Sequence, residues 1–175
     1  MNLEIVKSKN VLEMLTVAHE FCLFTESVEK HTPQDILHYY HRICPLLYLK
    51  GVLMPDIVLE DNSASERFVN EEQWEAIFTT LQTKLKGNDL FYYIEDSISG
   101  TETSIKTSLA EFIADVYQDM KDYVLLFQKN LLAAKENAVF DCKQLFISHW
   151  GMRALEIPKA IHQITFKNSI SDEII

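Results

Sequence analysis

Glycine and proline are scarce in this chain, four of each among 175 residues. A many-stranded β sandwich needs more turn formers than that, so helices are favoured. Cysteine is scarcer still. Cys22, Cys44 and Cys142 are odd in number and far apart, with no C-x-x-C pair. That leaves no disulfide framework and no zinc-ligand spacing, and each thiol reads as buried and reduced within a helical apolar pattern. No apolar run approaches the ~18 residues of a membrane span. The opening MNLEIVKSKN has no apolar signal core, so the expected compartment is the cytoplasm.

Positive charge is in deficit too: 16 basic residues stand against 26 acidic ones, a formal charge of -10, and no segment gathers Lys and Arg into a patch. Affinity for phosphate backbones or anionic lipid grows with the number of cationic contacts, so neither nucleic acid nor a membrane surface is an expected partner. A protein with a basic face would be attracted. The chain also lacks the phosphate-cradling glycine loops, the G-x-S-x-G elbow, H-E-x-x-H and any Glu-x-x-His pair. No cofactor or metal is therefore expected, catalytic residues stay unassigned, and whether the chain is an enzyme is left open, leaning towards no.

What is present is helical periodicity. At 47% hydrophobic and 24% charged, the chain is long enough to bury its own core. The predicted fold is all-α, one domain from 1 to 175, a bundle of five to six helices with one extended aromatic segment. Helices are expected at 8–29, 33–50, 70–86, 108–129, 132–150 and 152–166, with a frayed tail at 167–175. The first is so apolar that a central place is expected for it. Thr32 with Pro33, Asn70, and Ser108 with Glu111 supply helix starts. Gly51 and Gly87 read as stops, Gly151 invites a break, and Pro45 predicts a kink. DLFYYIED reads as an extended stretch laid over the bundle and SISGTETS as a polar loop.

The candidate chemistry lies in EFIADVYQDMKDY. On a helix of about 100° per residue, Phe112, Val116, Met120 and Tyr123 form an apolar stripe with Asp119 at its edge. Asp115 lies further round, and Asp122 further still, beside Glu111 and expected to be solvated. A carboxylate at such an edge needs donors. His149 aligns with Ala138, Cys142 and Leu145 and so faces inward, followed by Arg153. The expectation is that Asp119, with Asp115, meets His149 or Arg153 across a helix interface, as a structural polar lock, as a ligand or catalytic site, or without contact. Phe91, Tyr92, Tyr93, Tyr117 and Trp150 are candidate pocket-lining residues, with Glu95 or Asp96 as a carboxylate. Their competing reading is aromatic packing over a bundle end. His38 and His41 share a face with Arg42 and read as a solvated patch.

Several stretches together resemble a bacterial family of unknown function, domain-of-unknown-function family 5063. They are CPLLYLKG, RFVNEEQWEAIF, DLFYYI, LAEFIADVYQDMKDYVLL, AKENAVFDCKQLFISHWG and KAIHQI, which cover most of the chain. Ala114-Asp115-Val116-Tyr117 with Asp119, and His149-Trp150-Gly151, are the distinctive parts. Pro158 departs from that pattern, where an unbroken helix is the rule. The resemblance implies an all-helical cytoplasmic protein and carries over no catalytic residue. Two function classes follow: a non-catalytic interaction or regulatory domain, acting with a protein partner as a monomer or as a homodimer through Trp74, the aromatic segment or the last helix; and, as the alternative, a small-molecule-binding protein or metal-assisted hydrolase using Asp115, Asp119 and His149.

Overall fold

The computed structural model describes the backbone of residues 2–96 and 100–171 and the side chains of residues 2–94 and 100–166. The elements are α1 (Asn2–Val6), α2 (Lys9–Glu26), a 3₁₀ turn (Val28–Lys30), α3 (Pro33–Val52), α4 (Glu71–Lys84), β1 (Leu90–Asp96), β2 (Glu102–Ser108), α5 (Leu109–Gln128), α6 (Leu132–Leu145), a π-helical turn (Phe146–Trp150) and α7 (Gly151–Ser171). The chain is thus mostly helical, with one small sheet.

The central helix is α5, not the first long one. Leu109, Ile113, Val116 and Met120 have no exposed surface, and α5 packs on α2, α4, α6 and α7. In α2, Leu12 and Leu23 reach solvent instead; its excess of apolar residues is wider than the face that α3 and α5 cover. Local signals set the starts. The Thr32 hydroxyl accepts the Asp35 N–H, and Asn70 and Gln73 form a full capping box. Ser108 accepts the Glu111 N–H, but the Glu111 carboxylate turns to the Thr107 hydroxyl, so that box is half made. Asp89 supplies a second cap by accepting the Ala110 N–H.

The aromatic segment is not a lone extended stretch. β1 pairs antiparallel with β2, Tyr93 opposite Ile105 and Phe91 opposite Thr107, so the end of the expected polar loop SISGTETS, from Glu102 on, is strand, and 97–99 lie outside the described residues. Pairing satisfies the backbone groups that a single extended segment would leave open. Phe91 and Tyr93 both set their rings edge-on to Phe112, at 5.3 Å between centroids, which fixes the hairpin over α5.

Two glycines do a different job from the one their positions suggest. Gly51 lies inside α3, and a Cβ there would stand 2.5 Å from ring carbons of both Phe146 and Trp150. Gly151 does not break the chain; its N–H bonds to the Phe146 carbonyl five residues back, and a Cβ would collide with that same oxygen. Both are close-approach glycines around one aromatic pair. Pro45 and Pro158 lie within continuous α3 and α7. Each removes one N–H from its ladder, while buried neighbours such as Cys44, Leu47, Ile157 and Ala160 hold the helices in place. The helical backbone runs on to Ser171 through the first part of the expected frayed tail, and 172–175 lie outside the described residues. No helix among those described is long and apolar enough to cross a membrane.

Candidate functional site

Asp115, Asp119 and Asp122 stand four and three residues apart on α5, so one side of the helix carries three carboxylates. Four other elements converge on that side. The loop before α4 brings Arg67, Phe68 and Val69; α4 brings Trp74; the π turn brings His149; and α7 brings Arg153. The side chain of Asp119 is 1% exposed. Its Oδ1 accepts from Arg67 Nη2 at 3.0 Å, and its Oδ2 lies 2.5 Å from His149 Nδ1. Asp115 accepts from Trp74 Nε1 at 3.0 Å through Oδ1 and from Arg153 Nε at 2.8 Å through Oδ2. His149 Nε2 approaches the same Oδ2 to 3.9 Å, an ionic rather than hydrogen-bonding distance.

Asp122 is a correction to the sequence reading, which has it solvated; Glu111 is indeed exposed. Asp122 is buried because the loop folds over it. Its Oδ1 accepts from the Phe68 and Val69 N–H groups at 2.7 and 2.9 Å. Its Oδ2 lies 2.7 Å from Arg67 Nε as an ion pair without a hydrogen bond. Burial pushes its carboxyl above the usual carboxylate range, against the pull of those two N–H groups and the Arg67 charge, and neighbouring Asp119 pushes the same way.

Every carboxylate oxygen of the three aspartates thus faces a nitrogen of the chain itself. The structure brings together all four members of the expected cluster, Asp115, Asp119, His149 and Arg153. The residues missed are Arg67, Trp74 and Asp122. Loop residues carry no periodicity, so Arg67 gives no helical-wheel signal. The available hint is that Val69 and Trp74 occupy the positions of a hydrophobic staple around the Asn70 cap, which presses the end of the loop inward.

The proposed lining residues scatter. Trp150 is wholly buried, donates to the Cys142 carbonyl and packs on Phe146. Tyr117 is buried on the far side of α5, where it donates to Glu26. Phe91 is buried beneath the hairpin, and Tyr92 points to solvent. Only Tyr93 borders the cluster, in a groove of about 330 Å³ that it shares with Phe112, His149, Met152, Arg153 and Glu156. The side chains of Glu95 and Asp96 lie outside the described residues.

His38 is exposed, whereas His41 is half-buried beside His162 and Phe166; burial, then the His162 charge, lowers its pKa. Among the described residues no group of three or more His, Cys, Asp or Glu is arranged to hold a metal ion. All three cysteines are buried and unpaired, and burial raises each thiol well above its ordinary value.

A family model described as "Domain of unknown function (DUF5063)" matches residues 5–167. No curated protein matches the sequence. Among solved structures the chain is similar to the crystal structure of protein BF1032 from Bacteroides fragilis, with 30% sequence identity and a TM-score of 0.81, covering 91% of this chain and 94% of that one.

Proposed function

The chain belongs to the DUF5063 family, and from that premise we propose that it is a non-catalytic binding domain of regulatory type, with the aspartate cluster as its structural lock. One observation carries the reading: five of the six carboxylate oxygens of the three aspartates hydrogen-bond within the chain, and the sixth, Asp122 Oδ2, is buried against the Arg67 guanidinium. A metal-binding or nucleophilic carboxylate needs an oxygen free to approach an ion or a reacting atom. Here Arg67, His149, Arg153, Trp74 and two backbone N–H groups occupy those oxygens. The acidity of the chain, -10 overall, favours a protein partner with a basic face over nucleic acid or membrane, and the three unpaired cysteines favour a reducing compartment such as the cytoplasm.

Thermal unfolding of the wild type and of Asp119→Asn, each with and without Mg²⁺, Mn²⁺ and Zn²⁺, tests this. A ligand held only by the folded state stabilises it by about 2.7 kcal/mol at one hundred times its dissociation constant. The expected result is a lower melting temperature for the variant and no metal response in either protein. A metal that stabilises the wild type and not Asp119→Asn would overturn the reading in favour of a metal-dependent site.

A further inference from the structure

The groove beside the lock has walls and guanidinium N–H donors that the lock does not use up. Phe112 and Tyr93 form one wall, with their rings edge to face. Met152 and Ile94 line it as well, and both are largely exposed, at 59% and 61%. Its volume of about 330 Å³ falls within the roughly 300–1,000 Å³ of small-molecule sites, which are typically apolar with a few convergent polar groups.

The polar group here is Arg153. Its Nε donates to Asp115 and its Nη1 to the His149 carbonyl, and its guanidinium lies 5.2 Å from the Phe112 ring centroid. Among the described residues, Nη2 has no partner. An arginine with two anchored nitrogens and one uncommitted one, at 27% side-chain exposure, is held in place and still has donors for an anion. The groove also contains Glu156, whose carboxylate is paired with Lys159. A second negative charge on a ligand would meet that carboxylate.

We propose that this groove binds a small monocarboxylate with an aromatic or branched apolar body, the body against Phe112, Tyr93, Ile94 and Met152 and the carboxylate on Arg153. The inference rests on the binding-domain reading above and gives that domain a ligand class. The π turn suits the role, since it places Ser148 and His149 at the rim just before Arg153; single π turns recur at functional sites.

The test is a backbone-amide NMR titration of the full chain with phenylacetate, phenylacetamide and phenylmalonate, repeated with Met152→Glu. The expected result is saturable shifts with phenylacetate at residues 93, 112 and 148–156. Affinity should fall by about tenfold or more for the neutral amide, for the dianion and for the variant, while the variant keeps the wild-type spectrum elsewhere. Equal affinity for the amide, unchanged affinity in Met152→Glu, or no saturable shift at these residues would overturn the proposal. Such a failure leaves the binding-domain reading intact, because that reading falls only if a metal stabilises the wild type through Asp119.

Discussion

Asp119 is the residue on which the cluster turns, since it alone touches both the loop before α4 and the π turn. Breaking a buried ion pair by removing one partner costs about 3–5 kcal/mol. Arg67, however, is 48% exposed and can turn to water, so Asp119→Ala is expected to cost about 2–3 kcal/mol. At this chain length that is a fall of about 5–10 °C in melting temperature; a fall of about 1 °C or less would mean that the pairs contribute little. Asp122 makes a different prediction, in pH. Its carboxyl is raised in the folded chain, so the folded state holds that proton more tightly than the unfolded one. The stability this confers is complete below the ordinary aspartate value and is lost as the pH rises through the raised one. Asp122→Asn stays neutral and still offers an oxygen to Phe68 and Val69. Urea unfolding between about pH 4 and 7 should show this variant gaining on the wild type as the pH rises; a constant difference would count against the raised carboxyl.

At the scale of elements, the long amphipathic helices and their caps are legible because apolar spacing and Ser, Thr or Asn caps are local signals. The same wheel puts Asp119 at the edge of one apolar stripe and His149 on the inward face of another helix, with His149 or Arg153 as the expected partner. It could not rank the helices by burial, because α2 and α5 carry similar apolar content, and what separates them is how many neighbours cover each. Pairing of β1 with β2 was hidden because β2, ETSIKTS, is mostly polar and gains its place from backbone bonds. Gly51 and Gly151 do lie at element ends, but what requires a glycine there is the close approach of Phe146 and Trp150, a tertiary fact that local spacing does not carry. Their roles predict that Gly51→Ala costs about 1–3 kcal/mol through overpacking. Gly151→Ala should cost at least as much, because a backbone carbonyl cannot swing aside as a ring can. Denaturant unfolding of both variants checks this, and a Gly51→Ala protein as stable as the wild type would contradict the packing described.

For the molecule as a whole, the aspartate cluster joins the loop before α4, α4, the π turn and α7 to one side of α5, and the proposed lock would hold the walls of the groove in register. Trp74, one route to a dimer in the sequence reading, is half-buried and committed to Asp115. The most direct test of the central claim is a double-mutant cycle by urea unfolding, using wild type, Asp119→Ala, His149→Ala and the double variant. Residues in direct contact within one polar network couple by about 0.5–3 kcal/mol. A structural lock predicts a coupling above about 1 kcal/mol in that range, with the denaturant slope unchanged. Strictly additive losses would contradict it, and would show that Asp119 and His149 do not hold each other in the folded chain.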